Sequence, residues 1–267
     1  MIDNPEIKNT TPVKTQLKSV NRALQVLEYI SENPGRAVDI SEGLDISWAT
    51  LHRTLQQLEQ DGFLSKEPST NRYNVGSRMW FIGSTYIASH PVLEPARPYL
   101  NKAAANTSIT VQLVELCKKQ AMVLFNSSTE NMITRAAVGY HFPLHAGSKG
   151  QVLLAHSDSE FIKTYISHGL QKLTENTEVD PNRLLSLLAK IRADGYAISI
   201  ADVQLFSGSV AAPVFNRENK VVASVCFVTR KSTLKDMDKR EVLLEQLTET
   251  AQSISVSLGW NPIGSRP

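Results

Sequence analysis

The sequence predicts an α+β protein in two parts: an N-terminal winged three-helix domain, then a mixed domain with one antiparallel sheet flanked by helices. Three observations predict it. Asp45–Phe63, DISWATLHRTLQQLEQDGF, reads as one helix: Ser47 is placed to cap it, Leu51, Leu55 and Leu58 recur on one side, and Gly62 offers a left-handed stop. A short helical pattern, Val38–Leu44, precedes it across a tight connection at Asp45–Ile46, and two short strand patterns follow, Phe63–Lys66 and Arg72–Val75, closed by Pro68, Ser69, Thr70 and Asn71. From Ile109 the apolar period changes to two, and later the chain alternates between strand-like and helix-like runs.

Taken in order, Met1–Gln16 is polar, contains two prolines and has no period, so residues 1–16 are expected to form a flexible arm. Ser19 can cap a helix carrying Val20, Leu24, Leu27 and Ile30, which Asn33-Pro34-Gly35 ends. With the two helices and the hairpin described above, residues 17–76 make a winged helix-turn-helix. Residues 77–90 read as a linker helix whose Met79, Trp80, Phe81, Ile82, Tyr86 and Ile87 lie nearly all the way round it. Such a helix is expected to be buried on more than one side, within the chain or against a second copy.

Residues 91–260 form the second domain. Pro95 and Pro98 punctuate a helix running to about Asn106. ITVQLVEL, AMVLFNS and MITRAAV read as three strands of an antiparallel meander, and PLHAGSKGQVLL as a loop entering a helix. Glu160–His168 and Pro181–Asp194 read as helices, Tyr196–Ile200 as a strand, SGSVAAPVF and KVVASVCFV as a hairpin turned at Asn216–Asn219, and Met237–Leu258 as a closing helix.

Composition bounds the function. At 267 residues the chain suits two domains with sizeable cores, and no apolar run approaches the roughly 18 residues of a membrane helix. Met1–Lys18 lacks the apolar segment of a signal peptide, so a cytoplasmic location is expected. Cys117 and Cys226 have no metal-ligand spacing and read as buried core thiols. His145 and His156 lack a third ligand at a recognised spacing, and Asp202 with Ser209 makes no nucleophile constellation. No catalytic residue, metal or cofactor is therefore expected.

In a helix-turn-helix the second helix enters the major groove. Its face opposite the leucines carries Ala49, Thr50, Arg53, Gln56 and Gln57, flanked by Trp48 and His52. Small residues allow close approach there, and Thr, Arg and Gln can hydrogen-bond base edges or phosphates. Lys66 and Arg72 on the wing could reach phosphates. From Lys14 to Trp80 eight basic residues are balanced by eight acidic ones, so net charge gives no attraction. Arg36, Arg53, Lys66 and Arg72 are expected to cluster on one side, and tight binding to require a second copy of the domain. In the second domain, the small residues Ala146-Gly147-Ser148 lead into a helix N-terminus, a natural seat for a carboxylate.

Three blocks in this order, SVNRALQVLEYI with LHRTLQQLEQDGFL, PLHAGSKGQVLLA, and GYAISIADVQLFSGSVAAPVFNRENKVVASV, resemble the IclR family of bacterial transcriptional regulators from about Lys18 to Leu258. The resemblance implies a GAF-like second domain that binds a small organic acid, double-stranded DNA as partner, and a homodimer or homotetramer. It places DNA contacts on Ala49, Thr50, His52 and Arg53, and the reading of the helix face and wing adds Arg36, Ser47, Trp48, Gln57, Lys66 and Arg72 as further DNA-contact candidates. Trp48 and Ala49 stand where the family commonly has Lys and Ser. It places effector contacts on Asn131, Thr134, Phe142, Gly147, Ser148, Lys149, Gly150, Ser199, Ser207, Ser209, Cys226 and Val228. The family's Gly-Lys-Ala appears here as Gly150-Gln151-Val152, and acidic residues after its Gly-Tyr pair become Ser199 and Ile200. These departures imply a pocket that has lost a carboxylate and a ligand needing fewer donors than a small keto acid, such as an aromatic or larger carboxylate. Two alternatives stay open: a winged-helix regulator without effector response, and an enzyme acting on a small acid.

Overall fold

The computed structural model describes residues 17–105, 109–127 and 137–262, so the expected arm at 1–16 and the effector positions Asn131 and Thr134 lie outside the described residues. The chain divides into two compact units between Ala88 and Ser89.

In the first unit, α1 (Lys18–Glu32), α2 (Ala37–Leu44) and α3 (Trp48–Gln60) bury one stripe each. Val26, Ile30, Ile40, Leu51, Leu55 and Leu58 meet there, closed by Leu64 and Tyr73 of the wing. Asp45 ends α2 in the left-handed region at φ 50°, which its short polar side chain tolerates, and the chain turns directly into α3. Gly62, at φ 78°, turns the chain from α3 into the wing, as its lack of a Cβ allows. The wing is a three-stranded sheet in the order β1-β3-β2, from β1 (Gly35–Arg36), β2 (Leu64–Lys66) and β3 (Arg72–Val75). Two residues are too few to show a period, so the sequence concealed β1. In α4 (Ser77–Ala88) no side chain is buried, and Trp80 and Phe81 are 79% and 68% exposed.

The second unit begins with α5 (Leu93–Ala105). The buried His90 imidazole caps it, with Nδ1 facing the backbone N–H of Val92 at 3.3 Å and of Leu93 at 3.4 Å. The sheet is antiparallel throughout, in the order β6-β5-β4-β9-β8-β7. Its strands are β4 (Thr110–Cys117), β5 (Gln120–Asn126), β6 (His141–Pro143), β7 (Ala197–Ile200), β8 (Ser207–Phe215) and β9 (Val221–Arg230). The strand expected at MITRAAV lies mostly outside the described residues, and Val138 is exposed in a turn. His141–Pro143 pairs with β5 in the stretch expected to enter the loop. Cys226 is buried as expected, whereas Cys117, near the end of β4, is only half-buried.

Helices α6 (Ser148–Ala155), α7 (Ser159–Ser167) and α8 (Pro181–Asp194) follow β6, and α9 (Lys231–Lys235) and α10 (Met237–Ser257) follow β9. Every residue of α6 is buried between the sheet and α8. That packing depends on Gly150: a Cβ there would stand 2.8 Å from the Leu144 carbonyl oxygen and 2.9 Å from that of Pro143. Gly150 therefore sets how closely α6 lies on the 143–144 backbone and contributes no ligand-facing group.

Candidate nucleic-acid interface and effector pocket

With the leucines of α3 turned into the core, Ser47, Trp48, Ala49, Arg53 and Gln57 are left exposed, with Thr50 and His52 half-buried beside them. Ser47 stands at the N-cap position, but its hydroxyl donates to Thr50 Oγ1 at 2.9 Å and makes no side-chain cap bond to the backbone. The cap expected from sequence is thus spent tying the first turn sideways. Trp48 lies against His52, ring centroids 5.9 Å apart. Gln57 donates to Asp61 at 2.9 Å. Arg53 forms no ion pair among the described residues, so its guanidinium faces solvent without an acidic partner to displace.

The wing register partly corrects the expected basic cluster. Arg36 is opposite Arg72 across β1 and β3, while Lys66 is opposite Tyr73. Opposite residues share a face and neighbours along a strand do not, so the arginines leave one face and Lys66 the other, its amine 5.5 Å from the Tyr73 ring centroid. Arg36 is also bound to Asp39, whose carboxylate accepts the Arg36 backbone N–H at 3.0 Å and lies 3.4 Å from the guanidinium. The Arg36 backbone and guanidinium donors lower the Asp39 pKa.

In the second unit, two rows of residues cross the sheet beneath α6. Thr110, Val228, Ser209 and Ser199 are successive register partners across β4, β9, β8 and β7, and so are Gln112, Cys226, Ala211 and Ala197. Above them, Ser148 donates to Ser209 Oγ at 2.7 Å and lies 3.8 Å from Cys226 Sγ. Burial raises the Cys226 pKa, so the thiol stays neutral.

A cavity of about 30 Å³ lies between these rows, the start of α6 and the 201–206 loop. Phe142, Gly147, Lys149, Ser199, Ser207, Ser209 and Val228 line it, together with Asp202, Val203 and Gln204. The expectation that the pocket had lost its carboxylate is corrected by Asp202. Its Oδ2 accepts the Gly147 backbone N–H at 3.0 Å and the Gln151 amide at 3.3 Å, and its Oδ1 accepts from Ser199. The helix start expected to hold a ligand carboxylate is thus capped by one of the protein's own. Three residues hold the loop in place: Thr174 and Asn176 donate to the Ala201 carbonyl at 2.7 and 3.3 Å, and Thr177 to that of Asp202 at 2.6 Å.

Lys149 is buried, with Nζ donating to Gln112 Oε1 at 2.8 Å and 3.6 Å from the Phe142 ring centroid. Sequence reasoning passed over Gln112, although a glutamine on the inward face of an otherwise apolar strand was a signal. His145 is fully engaged: Nε2 meets the Gln171 carbonyl at 2.9 Å, which requires its hydrogen there, so Nδ1 accepts from Tyr165 OH at 2.7 Å. Among the described residues no group of three His, Cys, Asp or Glu side chains is placed to hold a metal ion, and no helix is long and apolar enough to cross a membrane.

Comparison with known proteins accounts for both units. The family described as the IclR helix-turn-helix domain matches residues 19–68, and that described as bacterial transcriptional regulator IclR C-terminal matches residues 84–256. The DNA-binding transcriptional repressor YiaJ of Escherichia coli is 28% identical over 91% of this chain and 88% of its own length. The transcriptional regulator XynR of the same organism is 27% identical over 91% and 98%. A crystal structure of an IclR regulator from Alicyclobacillus acidocaldarius superposes with a TM-score of 0.80 at 28% identity, covering 91% of this chain and all of that one. An IclR homologue from Microbacterium hydrocarbonoxydans, solved with 4-hydroxybenzoate, shares the fold with a TM-score of 0.78 at 24% identity over 90% and 98%. Two matched domains in this order, a winged unit with its helix face open and a sheet-and-helix unit around a small polar cavity, lead to one conclusion: the chain belongs to the IclR family of bacterial transcriptional regulators.

Proposed function

We propose that the protein is a ligand-responsive regulator that reads operator DNA with α3 and its wing and senses a small organic acid in the cavity beneath α6. The observation that carries the DNA reading is Arg53, exposed on the outward face of α3 and free of any acidic partner among the described residues. Ala49 and Thr50 beside it allow close approach to base edges, Trp48 offers an apolar contact to a thymine methyl, and Arg36 and Arg72 supply phosphate contacts from one face of the wing.

Two copies act together in this reading. The first domain balances its charges, so one copy gains little from the phosphate backbone, and α4 leaves Trp80, Phe81, Ile82 and Tyr86 exposed in a form that packing against a second α4 would cover. The acid shifts the population between arrangements of the paired winged units and so changes operator affinity. This requires it to bind one arrangement more tightly than the other. The homologue solved with 4-hydroxybenzoate supports an acid as effector.

One observation favours a constitutive regulator as the second reading: the cavity has room for one or two waters, and the protein's own Asp202 fills the anion seat at α6. A mobility shift on DNA upstream of the protein's own gene, with and without millimolar carboxylic acids, separates the two. The ligand-responsive reading expects at least one acid to change affinity severalfold. Binding that no acid alters, together with no thermal stabilisation by any of them, leaves the constitutive regulator.

A further inference from the structure

The effector reading assigns a pocket and leaves open which end of a ligand goes where. Two buried groups of opposite charge line the same cavity. Asp202 has three donors on its carboxylate. Lys149 has a single hydrogen-bond acceptor, the neutral Gln112 carbonyl, and a ring face; among the described residues no carboxylate comes within 4.0 Å of its Nζ. An ammonium removed from water needs more than one neutral acceptor and an aromatic face to recover its hydration. Lys149 and Gln151 are two residues apart on a helix, about 200° round its axis. This chain has Gln151 after Gly150 and its lysine before it, over Phe142 and the sheet.

Resting on the effector reading, we propose that Lys149 is the anion seat of this pocket and selects a short hydroxy-carboxylic acid, the ligand's carboxylate pairing with Nζ and its hydroxyl donating to Asp202. The helix start cannot take that carboxylate while Asp202 occupies the Gly147 N–H. A cavity of about 30 Å³ holds one or two waters, so any acid must move the 201–206 loop, and acids of two or three carbons need the smallest movement, since an aromatic ring needs on the order of 150 Å³. Burial, the main cause, holds the Lys149 pKa below 10.5, while Cys226 and Asp202 oppose it. A bound carboxylate favours the charged amine and reverses that shift. Acid binding is therefore coupled to proton uptake at Lys149, and affinity falls as pH rises through the empty-pocket pKa.

The test is calorimetric titration of the full chain with lactate, lactamide and propionate, on wild type and Lys149→Met, at several pH values. The expected result is wild type preferring lactate to lactamide by tenfold or more, with affinity falling at high pH, and Lys149→Met losing both the preference and the pH dependence. Lactate also binds more tightly than propionate if Asp202 reads the hydroxyl. A melting curve shows that the variant is folded: without ligand its midpoint rises by about 2–5 °C, because a buried charge is gone. If Lys149→Met keeps the acid-over-amide preference, Lys149 is not the anion seat although the pocket still senses acids. Equal affinity for lactate and propionate removes the role given to Asp202. If wild type binds none of the three, the short-acid assignment falls; a response to a larger acid in the mobility shift would still leave the effector reading standing.

Discussion

The outward face of α3 and the cavity beneath α6 both collect polar side chains, and they treat them in opposite ways. On α3 the groups are exposed, and Arg53 has no acidic partner among the described residues. Beneath α6 the groups are buried and bonded to one another: Ser148 to Ser209, Asp202 to Gly147 and Ser199, Lys149 to Gln112. A surface that must meet a large, hydrated, charged partner can leave its donors to water until contact. Buried polar groups cannot turn to bulk water, so each needs a partner inside the protein. Substitutions on the two regions should therefore read out differently: on α3 in affinity without loss of stability, beneath α6 in stability even without ligand.

The largest effect that would sharpen this contrast is at Gly150. Gly150→Val should destabilise the second unit by about 3 kcal/mol, since even a Cβ would meet two carbonyl oxygens of the 143–144 backbone. A thermal or urea melt that matches wild type would show that α6 is not held so closely. Next is Asp202→Ala, which leaves the Gly147 N–H and the Gln151 amide without their carboxylate and should cost about 1–3 kcal/mol on the same melt.

Lys149 gives a stability effect that depends on pH. Its amine is depressed in the folded protein and returns to 10.5 on unfolding, so between those values the unfolded chain holds more protons and stability rises with pH. The stability gained by Lys149→Met should thus be largest near neutral pH and shrink toward pH 10. A gap that stays constant would mean that Lys149 holds its proton equally in the folded and unfolded protein, with no depression on burial. The smallest effect is on the wing: Arg72→Ala should lower the slope of log affinity against log salt by about 1, for operator and random DNA alike, while Lys66→Ala, on the opposite face, should leave both the slope and the melt unchanged.

The same difference decides what could be read from the residues alone. The winged unit was legible because its signals are local: the Leu51, Leu55, Leu58 stripe, the glycine at 62, and turn residues between two short strands. The two-residue strand at Gly35–Arg36 carried no period, and Ser47 matched the cap preference while its hydroxyl went to Thr50. The pocket was legible as a list of positions through family resemblance, and seven of those positions line one cavity. Its chemistry was not legible. Ser199 and Ile200 suggested a lost carboxylate, but β7 ends at Ile200 and the turn at Ala201, with φ 60°, leads to Asp202, whose carboxylate bonds Ser199 and Gly147. Gln112 and Lys149 are 37 residues apart and meet only because β4 lies beneath α6.

Contact between the outward edge of α3 and duplex DNA is tested most directly by a binding titration on the DNA upstream of the protein's own gene. Wild type, Arg53→Ala and Arg97→Ala are compared, Arg97 being a half-buried arginine of the second unit paired to Glu94. Arg53→Ala should weaken binding by ten- to a hundredfold, about 1–3 kcal/mol, with an unchanged melting temperature, while Arg97→Ala binds as wild type does. Equal affinity of all three proteins, or equal weakening by both substitutions, would contradict it.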